Sequence, residues 1–375
     1  MSAMSIRRGL WAVVALAATA VLAADPPAGL SQPKAGLSQL KAGLHLIDLG
    51  NGDDQYLGPY YNPSVDPQHA LLYADDDHGT LVRWSLAKLG EGPQVFARPP
   101  ARQPGWRFPV AASDGGCVAA FQAYPVKEPA GVKARIAVTF MDQSGRRLSG
   151  DLPLYYADDR WNGAASLAWR PTGELAAFYL TVGNSLPGLY VFRPSDKNWV
   201  RVHGLDAATG PASGKADGAL QWETGGRCLS ELAGGQVHLL GGAAYAEYGH
   251  FAATAVAHTW LDMDTLVLAD PAAGLLKVDI GGQPQGTVSG WPGAVAGDGN
   301  ASAPVAQSGR LAWVAAMVAN ADGSLRYVLR DATAGAATAK DVLSFDARPG
   351  YARGNAGPVW HPNKDAVFLS VPPRG

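Results

Sequence analysis

The stretch VWHPNKDAVFLS, Val359 to Ser370, spells a strand, a turn and a second strand, and only five residues follow it. A hairpin left alone at a chain end is marginal in water and needs further strands to complete a sheet. The same pattern recurs upstream. LAWRPTGELAAFYLT, Leu167 to Thr181, shares the Trp, the Pro two residues later, the polar turn and the apolar strand carrying Phe. Degraded copies are AASDGGCVAAF ending at Phe121, LQWETGGRCLSEL around Trp222, TWLDMDTLVL from Trp260, APVAQSGRLAWV around Trp313 and NPSVDPQHALLYA ending at Ala74, which makes seven copies.

The pattern has a physical basis. Pro fixes φ and ends a ladder, and the Gly, Asn or Asp that follows takes the turn, so the next strand folds back antiparallel. Six hairpins are followed by a third strand: TLVRWSL, RIAVTFMD, GLYVFRPS, QVHLLGG, GLLKVDIGG and LRYVLRDA. The seventh runs out of chain. Its missing partner stands at the other end, where GLHLIDLGNG (Gly43 to Gly52) has the form of a third strand and DQYLG (Asp54 to Gly58) that of a fourth. The expectation is an all-β, seven-bladed β-propeller closed by N-terminal strands that pair with the C-terminal hairpin; six or eight blades are the alternatives, because the fourth unit is degraded. Closure removes the edges an open array would expose. The 332 residues from Leu44 to Gly375 divide into seven units of about 47, near the period of a four-stranded blade.

At these residues the sequence resembles the TolB-type propeller repeat, whose usual form is W-S-P-D-G followed by an apolar strand ending in A-F. Trp169, Pro171, Gly173, Ala177 and Phe178 match it, and Trp360, Pro362, Ala366 and Phe368 match with one residue deleted. The resemblance implies fold more than activity, because the family holds exported non-enzymatic adaptors as well as propellers attached to hydrolases.

Residues 1–24 read as a secretory signal: Arg7 and Arg8, an apolar run from Leu10 to Leu22, and Val21-Leu22-Ala23 as a cleavage site. The expected localisation is periplasmic or secreted, with no membrane insertion. Residues 25–43 form a linker in which AGLSQPKAGLSQLKAGL repeats a seven-residue block; each block carries Gly, and the first carries Pro33, so no regular coiled-coil seam is expected and a flexible segment is. Residues 44–375 are the propeller. Removing Arg7 and Arg8 from the 30 basic residues leaves 28 against 32 acidic ones, a formal charge of −4, which points to no nucleic acid as partner. Cys117 and Cys228 sit in similar places two units apart, so two free buried thiols are expected rather than a disulfide.

The chemistry-bearing residues form no local motif. The eight histidines make no H-x-x-x-H or HExxH pair, and His361 lies in a hairpin turn. ADDDHGT, Ala74 to Thr80, gathers three carboxylates but lacks the alternating oxygens of a calcium loop and reads better as an acidic turn. No metal and no cofactor are therefore expected. What stands out is a set of aromatic and arginine residues in segments read as connections between blades: Tyr60, Tyr61, Trp106, Arg107, Arg160, Trp161, Tyr248, Trp291, Tyr351 and Arg353. Tyr, Trp and Arg dominate binding hot spots, and such connections converge at one mouth of a propeller. The expectation is an exported, non-catalytic, monomeric scaffold that binds a protein or peptide on this face, with carbohydrate as the other ligand class. The alternative is an exported lyase or hydrolase acting on carbohydrate or a lactone-like substrate at the channel mouth, with carboxylates drawn from several blades.

Overall fold

A computed structural model describes residues 40–128, 131–148, 152–156, 167–172, 176–180, 188–193, 196, 198–204, 219–233, 235–242, 245–255, 257–288, 306–307, 313–319, 325–331, 341–347 and 358–371. Among them the strands make seven four-stranded antiparallel sheets. Six sheets use consecutive strands. Sheet 1 holds β3 (Tyr60–Asp66), β4 (Leu71–Asp76), β5 (Leu81–Ser85) and β6 (Gln94–Ala97); sheet 2 holds β7 (Trp106–Ala111), β8 (Val118–Glu128), β9 (Gly131–Met141) and β10 (Leu152–Tyr156). Sheet 3 holds β11 (Leu167–Trp169), β12 (Ala176–Leu180), β13 (Gly188–Arg193) and β14 (Asn198–Gly204); sheet 4 holds β15 (Ala219–Trp222), β16 (Cys228–Ala233), β17 (Gln236–Gly241) and β18 (Ala246–Ala252). Sheet 5 holds β19 (Ala257–Trp260), β20 (Thr265–Asp270), β21 (Gly274–Asp279) and β22 (Pro284–Thr287); sheet 6 holds β23 (Ala306–Gln307), β24 (Trp313–Ala319), β25 (Leu325–Asp331) and β26 (Asp341–Ala347).

The seventh sheet joins the two ends of the chain. Its order is β2 (Asp54–Gly58), β1 (Gly43–Asp48), β28 (Ala366–Val371), β27 (Val359–Trp360). The β1–β28 ladder runs unbroken from Gly43 opposite Val371 to Asp48 opposite Ala366, with Leu46 facing Phe368. The architecture is an all-β propeller, with the N-terminal strands in the third and fourth places of the last sheet. The residues just before β1 are packed against the sheet: Leu40 is buried, the Lys41 ammonium lies 4.5 Å from the Tyr56 ring centre, and the Tyr56 hydroxyl donates to the Ala42 carbonyl.

Sheets pack face against face because their strands are apolar on both sides. Leu44, Leu72, Trp84 and Phe368 fill the space between sheets 7 and 1. Between sheets 2 and 3, Phe140 meets Phe192 at 4.2 Å between ring centres and Trp169 edge-on at 5.8 Å. In sheets 3, 4 and 5 the repeat Trp also ties the sheet to the one before it. Trp169 Nε1 donates to the Val110 carbonyl at 2.9 Å, Trp222 Nε1 to the Ala168 carbonyl at 3.3 Å, and Trp260 Nε1 to Ser230 Oγ at 2.8 Å. A large ring with one polar atom suits this position, since it fills the gap and still satisfies its own donor.

Turn carboxylates are consumed by the backbone. Asp76 Oδ1 accepts from the N–H groups of His78 and Thr80, Asp48 Oδ1 from those of Gly50 and Asn51, and Glu223 from those of Gly225 and Arg227. Within the acidic run at residues 74–80, Asp76 is thus a turn cap, as is Asp48 in the turn after β1. Cys117 and Cys228 are free and buried, and burial pushes the Cys117 thiol up to about 12. Among the described residues no helix is long and apolar enough to cross a membrane.

Candidate binding face

Two adjacent sheets open with the same local device. Tyr60-Tyr61-Asn62-Pro63 begins β3 and Trp106-Arg107-Phe108-Pro109 begins β7. Asn62 has φ 53° and Phe108 has φ 51°, and in each strand the pairing register shifts just there, between Tyr61 and Ser64 and between Arg107 and Val110. Pro has no N–H to give a ladder, so the strand bulges at it and rejoins its partner beyond. The bulge also turns the preceding N–H out of the ladder, and a buried N–H must find an acceptor. The preceding sheet supplies one each time from the fifth residue of its second strand: Asn62 N donates to Ser370 Oγ at 3.0 Å, and Phe108 N to Asp75 Oδ2 at 2.8 Å.

Asp75 is fully buried. Besides Phe108 N it accepts from Asn62 Nδ2 at 2.8 Å and from Arg107 Nη1 at 3.2 Å. Burial pushes its carboxyl up to about 7, against the downward pull of Asn62, Arg107 and Phe108. Arg107 is held further by the Asp76 carbonyl, through Nη1, and by the Asp77 carbonyl, through Nη2 at 2.8 Å. Its side chain nevertheless stays 40% exposed. The Tyr61 hydroxyl is pushed up by burial and then by Asp77, which places it in the same cluster.

The seat of this cluster is a close backbone crossing. Gly79, at φ 75° in the turn after β4, lies against Gly105 so tightly that a Cβ on Gly79 would come within 2.1 Å of the Gly105 Cα, and the Gly79 carbonyl accepts from Trp106 N at 3.0 Å. Gly79→Ala is expected to cost about 2 kcal/mol, because the alanine meets both a left-handed backbone and an immovable main chain. Chemical denaturation of the variant measures this.

The ten residues singled out in the sequence do not share one environment. Arg107 is available at the surface. Trp106 is 3% exposed and packs with Tyr73, Phe96 and Met141; Tyr61 is buried; and Tyr60 is half-buried, edge-on to Trp84 at 5.0 Å. The expectation that these three aromatics form an exposed face is corrected: the segments read as connections are the first residues of strands, so their rings fill the space between sheets. Tyr248 is also corrected. It is exposed but lies in β18, the outermost strand of sheet 4, where its hydroxyl donates to Cys228 Sγ at 2.8 Å. Arg160, Trp161, Trp291, Tyr351 and Arg353 lie outside the described residues.

One pair has the composition of a nucleophile and its base. Ser230 Oγ lies 2.7 Å from His258 Nε2 and 3.1 Å from the Gln221 carbonyl. The hydroxyl proton belongs to that carbonyl, with the imidazole and the Trp260 indole both donating to the oxygen. Ser230 and His258 are 0% and 2% exposed, and burial lowers His258 to about 4. This is a buried polar tie between sheets 4 and 5.

No family model matches the chain, and no curated protein does. Solved structures do. The chain is similar to one in a crystal structure of the mitotic checkpoint complex, at 10% identity and a TM-score of 0.52, covering 96% of this chain and 100% of that one. It is also similar to a putative TolB from Agrobacterium tumefaciens (15% identity, TM-score 0.42, 88% and 98% covered) and to an oligogalacturonate lyase in complex with manganese (15%, 0.47, 88% and 83%). At these identities the likeness concerns the fold alone. The repeat itself is TolB-like in form: Trp169 and Trp360 end the first strands of their sheets, and Phe178 and Phe368 lie in the second strands beside them.

Proposed function

We propose that the protein is an exported, non-catalytic seven-bladed propeller, the seven sheets being the blades of one ring, and that it binds a protein or peptide at the end of the ring where Arg107 emerges. The observation that carries this is the fixing of Arg107. An arginine held by one carboxylate and two carbonyls has given up most of its side-chain freedom before a partner arrives, so its exposed part binds with little further entropy loss. Arg160, Trp161, Trp291, Tyr351 and Arg353 belong to the same proposed face.

Two of the carboxylates at this end are already engaged, which supports binding over catalysis there. Asp75 is spent on Asn62, Arg107 and Phe108 N, and Asp76 on its own turn. A general acid or base needs a side chain that can reach a substrate proton.

The test is capture of partners from the extracytoplasmic fraction by the wild type and by Arg107→Ala combined with Trp161→Ala. A partner retained by the wild type and reduced at least tenfold by the double variant supports the reading. An identical set of partners, with an unchanged melting temperature, sinks it.

A further inference from the structure

The outer hairpin of sheet 4 gathers three metal-ligating side chains that no helical spacing would reveal. His238 in β17 and His250 in β18 stand directly opposite each other, with ring centres 5.8 Å apart. Glu247 bridges them: Oε1 lies 2.6 Å from His250 Nδ1 and Oε2 lies 3.3 Å from His238 Nδ1. One ligand atom from each residue falls within 4.8 Å of the other two.

The backbone explains why they meet. In a regular ladder successive residues point to opposite faces, so Glu247 and His250, three apart, would project to opposite sides. The register shifts between Leu239 and Leu240: Gly249 faces Leu239, but Glu247, not Tyr248, faces Leu240. Tyr248 is the extra residue of a bulge. A bulge re-aims the side chains beyond it, and here it brings Glu247 to the face that carries His238 and His250. The bulge is accommodated because position 241 is glycine, whose missing Cβ leaves the room the Tyr248 ring occupies, 3.0 Å from where that Cβ would be.

We propose that His238, Glu247 and His250 bind one divalent transition-metal ion of the zinc class, with the remaining coordination position open to water. Two imidazoles and a carboxylate are borderline donors that suit Zn²⁺ and disfavour Mg²⁺ and Ca²⁺, which want all-oxygen shells. Ligand atoms around a tetrahedral zinc with bonds of about 2.0–2.1 Å stand roughly 3.3 Å apart, so small side-chain rotations convert the hydrogen-bonded cluster into a coordination shell. The side chains are 25%, 28% and 55% exposed for His238, Glu247 and His250, which leaves an ion a path in. The expected absence of a metal site came from seeking ligands at helical spacings; the H-x₈-E-x₂-H spacing here works only across a bulged hairpin.

The test is titration of the metal-free mature protein with Zn²⁺ by calorimetry, with Mg²⁺ and Ca²⁺ as controls, on the wild type, His250→Gln, His238→Gln and Glu247→Gln. The expected result is one Zn²⁺ per chain and at least a tenfold loss of affinity in each variant. Melting of the metal-free variants should match the wild type, because all three side chains lie at the surface. No Zn²⁺ binding by the wild type, or unreduced binding in the His238→Gln and His250→Gln double variant, overturns the proposal.

Discussion

A chain that begins at Pro59 and carries residues 40–58 after Gly375, joined by a short Gly/Ser linker, is expected to fold with the wild-type melting behaviour. A chain simply lacking residues 40–58 is expected not to fold. The register makes the transplant feasible, because Gly43 stands opposite Val371 and a hairpin loop can join the two directly. The deletion removes Leu44, Leu46, Ile47 and Leu57, all buried. Each such side chain contributes about 1.5–3 kcal/mol. Together that is about 6–12 kcal/mol, comparable with the entire stability of a typical domain, roughly 5–15 kcal/mol. It also leaves β28 with an unpaired edge. Circular dichroism and urea unfolding of the two chains decide the matter. A transplanted chain that stays unfolded would show that the sheet does not depend on pairing alone.

The second large effect is on pH. Asp75 is raised from 3.8 to about 7 in the folded protein, so the native state holds a proton more tightly than the unfolded chain. Its contribution favours folding below 3.8 and is lost as pH rises to about 7, a change of about 4 kcal/mol. His258 is lowered from 6.5 to about 4, so the unfolded chain takes up its proton first. That contribution is full above 6.5 and is lost as pH falls toward 4, about 3 kcal/mol in all. Between pH 5 and 6.5, above the range of ordinary carboxylates, the two slopes oppose and nearly cancel. Asp75→Asn is expected to unmask a stability that rises with pH by about 1.4 kcal/mol per unit relative to wild type, and His258→Gln one that falls by as much. Urea unfolding at several pH values reads both, and variant slopes parallel to the wild type would refute the assignment.

The architecture was legible because it is written in a repeat. Each third strand, from TLVRWSL to LRYVLRDA, lies where the pattern put it, and the unfinished hairpin at Val359 pointed to the strand at Gly43. The face was less legible, for a physical reason. Pro63 and Pro109 look like loop residues, yet each sits at a bulge inside its strand, which moves Tyr61 and Trp106 from surface to interior. Residue type alone cannot tell an aromatic that meets a partner from one that fills the gap between sheets. Arg107 was visible as a residue but not as a fixed one, because Asp75 and the carbonyls that hold it come from a neighbouring sheet. The His238, Glu247 and His250 cluster depends on a one-residue shift in pairing, which leaves no trace in the spacing of the letters.

The antiparallel seam between the first and last strands also sets how the molecule answers mechanical load. Both chain ends leave the β1–β28 ladder on the same side, at Gly43 and Val371. Tension applied between the two ends therefore peels the six facing pairs apart in succession, like a zip, instead of shearing them together. Pulled in this way, the ring should give way first at its own joint and at low force.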